Sequence, residues 1–178
     1  MFMIRNRLPQ RHEISYVLAT SVFVVFSWSL RGFFDDLPSF LQNQRPGVIF
    51  GIFSYMMAFA LLESLLLTGM FLLVSILLPS KWYRDGFAYK SFLIIFVITI
   101  TSIRLQSFLN NQWPSIGALL PSFGIAFLFL ALLILLAHFF LPFQKLLMEV
   151  EDRLQIFLYV YIPIGILGIL TVAIRNIG

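Results

Sequence analysis

The residue with the clearest capacity for chemistry is Glu63, a carboxyl group inside a long apolar stretch. The run from Gly47 to Leu78 is 32 residues long and carries no other charge. A carboxyl group deep in hydrocarbon is energetically expensive, so it marks a functional or a specifically paired group. Its neighbours Ser64 and Thr68 belong to a stripe of small hydroxyl residues of the kind that marks contacts between membrane helices. The sequence therefore predicts that Glu63 points into a protein interior, in a polar site with Ser64 and Thr68.

Arg104 is the candidate counter-charge. The uninterrupted apolar part of its run, Ser91 to Ile103, has 13 residues, too few to cross a hydrocarbon core about 30 Å thick. The helix must therefore continue through Arg104, which places the guanidinium in the outer half of the membrane. The hypothesis is an intramembrane ion pair between Glu63 and Arg104 that joins the second and third helices. The open alternative is that Arg104 reaches outward while Glu63 stays protonated beside the hydroxyl stripe.

The other titratable residues favour simpler roles. His12 and His138 lie at the inner ends of their helices, where facing histidines could ligate haem or a chlorin. Lone interfacial histidines are far more often plain surface residues, so no cofactor is predicted. Asp35 and Asp36 point in different directions on a helix, and a metal needs several convergent ligands. Pairing with Arg31 or simple solvation is the expectation there, and no metal site is predicted.

Motifs of catalysis are missing from the sequence. It contains no cysteine, no Gly-rich phosphate loop, no His-Glu-x-x-His segment and no Gly-x-Ser-x-Gly turn. The eight acids and two histidines are dispersed, whereas membrane enzymes concentrate several titratable groups in one pocket. The twelve Lys and Arg form no basic block, which argues against a nucleic-acid partner. Catalysis by this chain is not expected.

The elements that must position these residues follow from composition. The chain is 60% hydrophobic and 11% charged, with a mean hydropathy of +0.95, whereas a soluble domain normally carries about 25% charged residues. Five apolar runs reach the roughly 20 residues that a spanning helix needs. They cover about residues 14–34, 47–78, 87–109, 115–141 and 154–174. The prediction is an all-α integral membrane protein with five transmembrane helices, forming a single transmembrane domain over residues 1–178.

The positive charges set the expected orientation. On one side of the membrane lie eight of them: Arg5, Arg7, Arg11, Lys81, Arg84, Lys90, Lys145 and Arg153. On the other side lie four: Arg31, Arg45, Arg104 and Arg175. The positive-inside rule then places the N-terminus in the cytoplasm and the C-terminus outside. The expected location is a plasma or inner membrane.

Two connections show helical periodicity instead of a simple turn. Apolar residues recur at helical spacing over residues 33–41 in the outer connection and over residues 143–154 in the inner one. Both patterns predict short amphipathic helices lying in the interface. For the inner segment, an extension of the fourth or fifth helix is an equally open alternative. In the fifth run Pro163 removes a backbone donor, and with Gly165 and Gly168 it predicts a kinked helix with a close-packing face.

These features predict a non-catalytic accessory or scaffold subunit of a larger membrane complex. Its expected partners are the lipid bilayer and other membrane protein subunits. The first alternative is a small transporter or channel that uses Glu63, although a relay normally needs more than one deep acid. The second alternative is an enzyme that modifies lipids.

Overall fold

A computed structural model describes residues 9–78, 83, 86–109 and 116–177, and these residues are 95% helical without any strand. The helices are α1 (Arg11–Asn43), α2 (Pro46–Leu77), α3 (Phe87–Leu109), α4 (Ile116–Phe139), α5 (Leu141–Leu154) and α6 (Ile156–Ile177). Several charged residues behind the orientation argument, Arg5, Arg7, Lys81 and Arg84, lie outside the described residues, as does residue 115 at the expected start of the fourth helix.

Five helical segments are long and apolar enough to cross a membrane. Four of them are α1 to α4, and the fifth runs from Leu141 to Ile177 across α5 and α6. Because α5 carries five charged residues within 14 positions, the apolar window of that segment belongs to α6. The five candidate spans match the five runs in the sequence, and their composition indicates a multi-pass membrane protein.

Local sequence sets several helix ends. At the start of α1 the Glu13 carboxylate accepts a hydrogen bond of 2.9 Å from the backbone N–H of Gln10, which forms a capping box. Pro46 opens α2 at a position where its missing N–H would have had no partner. Extended backbone at Phe140 separates α4 from α5.

The outer connection differs from its prediction, since it contains no separate interfacial helix. Instead, α1 continues without interruption through Pro38 to Asn43. Phe33 is buried there, and its ring meets that of Phe53 on α2 edge-on, with ring centroids 5.1 Å apart. The amphipathic pattern over residues 33–41 thus reflects, at Phe33, a contact with α2.

The inner connection combines both of its predicted forms. α5 is a separate amphipathic helix after the break at Phe140, but Gln155 keeps right-handed helical backbone angles between α5 and α6. α5 is therefore close to an N-terminal extension of α6. It packs against α1, α3, α4 and α6, so one face is covered by the bundle.

α1 stands at the centre of the bundle, between two groups of helices. On one side it packs with α2 and α6, and on the other it packs with α3 and α5, while α4 packs on α3 and α5. The central cluster joins Val22 and Phe26 of α1 to Met57 and Leu61 of α2, with side chains of α6 against them. α4 is the most apolar candidate span and its apolar window is entirely unburied.

The predicted close-packing face of α6 is confirmed at its two glycines. A Cβ atom at Gly168 would lie 2.7 Å from the backbone oxygen of Ser54, and one at Gly165 would lie 2.7 Å from Leu61 Cβ. These distances are shorter than real Cβ contacts, so only glycine lets α6 approach α2 this closely. The helix itself continues through Pro163.

Candidate functional site: two carboxyl groups

The hydroxyl stripe of α2 lies in the interior, as the sequence predicts for a helix contact. Ser54, Ser64, Thr68 and Ser75 are all buried. The Ser64 hydroxyl donates a hydrogen bond of 2.6 Å to the carbonyl of Ala60, and the Thr68 hydroxyl donates one of 2.9 Å to the carbonyl of Ser64. These two hydroxyl groups are therefore satisfied within their own helix and can be buried at little cost.

Glu63 lies outside the buried face of α2, although its neighbour Ser64 lies within it. Its side chain is exposed, among the exposed apolar residues Phe59, Leu62, Leu66 and Met70. The expectation that Glu63 points into the protein interior is wrong, because a step of 100° from Ser64 carries the side chain out of the buried face. The predicted polar site is thus divided, with Ser64 and Thr68 inside and the carboxyl group outside.

Arg104 is exposed as well, and the structure does not bring it to Glu63. The ion pairs between described residues are Arg31 with Asp35 at 3.6 Å and Arg153 with Glu149 at 2.7 Å. α2 and α3 are joined mainly through α1 rather than directly. The two charges therefore lie on the outer surface of one bundle without a partner among the described residues.

The structure also places the other candidate residues. Asp35 pairs with Arg31 in the exposed C-terminal half of α1, as expected. His12 and His138 are both exposed; His12 meets the ring of Tyr16 edge-on, and His138 meets that of Phe139. Among the described residues, no three His, Cys, Asp or Glu side chains converge in the way a metal ion needs.

The structure reveals a second carboxyl group, Glu151 on α5, that the sequence reasoning passed over. Its side chain is fully buried (0% exposed), and neither carboxyl oxygen has a hydrogen-bond partner among the described residues. Burial of an unpaired ionised carboxylate costs several kcal/mol, so such a group takes up a proton instead. Desolvation, reinforced by the nearby charge of Glu13, raises the pKa of Glu151 to about 8. The group is therefore mostly protonated at neutral pH.

The position of Glu151 follows from the face that α5 turns to the bundle. Leu147 is buried one turn before it, and Phe143 and Leu154 are half-buried. Residues 143, 147, 151 and 154 follow the spacing of a single helical face, so Glu151 occupies a core position. The charged neighbours of Glu151 in the sequence suggest a polar position, but the spacing of residues 143, 147, 151 and 154 indicates a buried one.

The neighbourhood of Glu151 is acidic on two helices. Glu13 on α1 interacts electrostatically with Glu151. The Tyr16 hydroxyl on the same helix interacts electrostatically with both Glu151 and Asp152. The Glu13 carboxylate is held by the N-terminus of α1 through the capping hydrogen bond. Glu151 is therefore an acid that the fold keeps neutral, at the junction of α1 and α5.

The two carboxyl groups have different chemical capacities. Glu63 presents a carboxyl group that can form hydrogen bonds with whatever surrounds α2. Glu151 can hold or release a proton inside the bundle.

Comparisons of this chain with protein-family models, with curated proteins and with solved structures find no match.

Proposed function

We propose that this chain is a non-catalytic accessory or scaffold subunit of a larger membrane protein assembly. In this proposal the five candidate spans cross a plasma or inner membrane, with the N-terminus in the cytoplasm and the C-terminus outside. The observation that carries the proposal is the exposure of Glu63 on the apolar outer surface of α2.

The argument rests on what that surface meets in a membrane. Glu63 is 17 residues from the start of α2 and 14 from its end, so it sits near the middle of a helix about 48 Å long. Facing lipid at that depth, a charged side chain costs roughly 2.5–3.5 kcal/mol on insertion scales. A partner helix that covers the face and supplies a cation or hydrogen-bond donors removes that cost. The surface is therefore better suited to a protein contact than to lipid.

The structure adds a second acid that a transporter could use, but it shows no proton path between the two acids among the described residues. Glu151 is a second buried carboxyl group, which the sequence reasoning lacked. However, Glu63 faces outward from α2, whereas Glu151 is enclosed at the inner junction of α1 and α5. A proton relay needs groups within hydrogen-bonding reach of one another, so the arrangement favours the assembly role.

The experiment compares the partners of wild-type protein with those of two variants after mild detergent extraction from its native membrane. We expect the wild-type chain to migrate as a stoichiometric complex on native gels, and Glu63→Leu to release it. Glu149→Gln is the matched control, because Glu149 is exposed on α5 and pairs only with Arg153. That control should leave the complex intact.

The outcomes separate the two functions clearly. If Glu63→Leu stays in the same complex as wild-type protein, the Glu63 face does not carry assembly. If the purified chain alone moves protons or ions across vesicles and Glu63→Gln stops that movement, the transporter is the correct function.

A further inference from the structure

We propose that the occupant of the Glu63 face is a second copy of this chain, with Glu63 of one copy paired to Arg104 of the next. This inference rests on the proposed membrane assembly and names the partner at that site. It turns the predicted pair within one chain into a contact between two chains.

The two charged residues occupy matching surroundings on different helices. Glu63 lies in an exposed apolar stripe of α2 with Phe59, Leu62 and Leu66. Arg104 lies in an exposed apolar stripe of α3 with Ile100 and Ile103. Each stripe is an apolar surface with one charge within it, and the charges are opposite.

The depths of the two charges also match. Phe71 of α2 and Ile95 of α3 belong to one buried cluster, which gives the two helices a common reference level. Glu63 is 8 residues from Phe71, and Arg104 is 9 residues from Ile95. At about 1.5 Å per residue these separations are roughly 12 Å and 14 Å, in the same direction because consecutive spans run in opposite senses. The long side chains of Arg and Glu can span the remaining offset.

A second copy satisfies both charges with a single kind of contact. All copies share one orientation in the membrane, so Glu63 of one copy and Arg104 of another meet at the same depth in every pair. A partner of different sequence would have to supply a cation for α2 and, separately, an anion for α3. Charge complementarity at matched depth therefore favours self-association.

The absence of cysteine from the chain makes a cross-linking test free of background. Leu66 lies three residues inward of Glu63 and Ile100 lies four residues inward of Arg104, and both side chains are exposed. Copies that carry only Leu66→Cys, with one affinity tag, are mixed in phosphatidylcholine–phosphatidylglycerol vesicles with copies that carry only Ile100→Cys, with another tag. Oxidation should then join the two tags.

The charge dependence of this cross-link is the decisive measurement. Adding Glu63→Gln to the first copy or Arg104→Gln to the second should lower the yield roughly tenfold, as expected for loss of an intramembrane polar contact. Glu63→Arg in the first copy together with Arg104→Glu in the second should restore the cross-linking yield. Leu128→Cys on α4 replaces Leu66→Cys as the control for random collision, since Leu128 is 71% exposed and Leu66 is 65% exposed.

Three results would overturn the inference. The first is a wild-type chain that is monomeric by single-molecule photobleaching at high protein-to-lipid ratio. The second is a Leu66–Ile100 cross-link that is unchanged by Glu63→Gln and Arg104→Gln. The third is a Leu128 control that cross-links equally well. A chain that fails these tests but still migrates with a different protein through Glu63 would refute the second copy while leaving the accessory role standing.

Discussion

At the scale of single residues, two glutamates of α5 show how position on a helix decides burial. Glu149 and Glu151 are two residues apart, which places them about 200° apart around the helix. Glu149 is exposed and pairs with Arg153 at 2.7 Å, whereas Glu151 is enclosed and has no hydrogen-bond partner among the described residues. The environment of Glu151 therefore favours its neutral form.

This difference predicts a pH dependence of stability. The pKa of Glu151 rises from 4.5 when unburied to about 8 in the folded protein. Between these values the folded state holds a proton that the unfolded state has released, so stability falls as pH rises, by up to about 1.4 kcal/mol per pH unit. The contribution is fully present below pH 4.5 and is lost above about pH 8. We expect the thermal unfolding temperature in detergent to fall over this range.

Substitution identifies the group responsible. Glu151→Gln cannot ionise, so it should flatten the pH profile and be more stable than wild-type protein at pH 9. Glu149→Gln should keep the wild-type slope. Hydrogen exchange of the α5 amides, corrected for the pH dependence of the intrinsic exchange rates, should rank the variants in the same order of stability. A Glu151→Gln variant with the wild-type slope would contradict this assignment.

The candidate site was only partly predictable at this scale. Hydroxyl residues at helical spacing indicated the buried side of α2 correctly, because small polar residues allow close helix approach. The direction of Glu63 was wrong, because adjacent positions on a helix diverge by 100° and hydropathy alone does not say where the buried face ends. Glu151 was missed because its polar neighbours masked its place on the face shared with Leu147.

At the scale of elements, the seam between α2 and α6 depends on glycine. Gly168 lies against the backbone of Ser54 and Ala58, and the Arg175 guanidinium covers Gly51, about one turn along α2 from Ser54. Asn176 also donates a hydrogen bond of 2.9 Å to the Tyr55 hydroxyl. The seam therefore combines close backbone approach with polar contacts where the C-terminal end of α6 meets α2.

We expect Gly168→Ala to destabilise the protein by about 1–3 kcal/mol, because the added methyl group meets backbone atoms that cannot move independently. Gly69→Ala is the matched control. Gly69 is also inside a long helix, but an added Cβ there meets no atom within 4 Å, so the substitution should be neutral or slightly stabilising. Thermal unfolding of the two variants in the same detergent measures the difference. Equal stability of both variants would show that the seam is looser than described.

The elements themselves were largely predictable, and their limits less so. Each apolar run of at least about 20 residues became a helix, because backbone groups in an apolar setting must be satisfied within the segment. The uninterrupted continuation of α1 to Asn43 was not predicted, since the amphipathic pattern over residues 33–41 fits a separate interfacial helix equally well. The contact between Phe33 and Phe53 lies at the start of that segment, and local pattern cannot reveal such a tertiary contact.

At the scale of the whole molecule, orientation is the property that the charge pattern predicts and that labelling can check. His12 and Ser39 are exposed residues near opposite ends of α1, 27 residues or about 40 Å apart along the helix. In intact cells, a membrane-impermeant maleimide should label Ser39→Cys but not His12→Cys. His12→Cys should react after permeabilisation. The reverse pattern would invert the proposed topology.

The place of α6 in the bundle has a consequence for how the protein is made. Tyr161 stacks on Phe26, with ring centroids 5.0 Å apart, although 135 positions separate them in the sequence. At 5–20 residues per second, a ribosome needs on the order of ten seconds to go from one to the other. In the proposed membrane topology, α1 and α2 are available to the insertion machinery during that delay, but the groove between them is not yet covered by α6. Lipid or a chaperone must occupy the groove until α6 has been synthesised. A translational pause before residue 156 would prolong the time for which the groove is exposed.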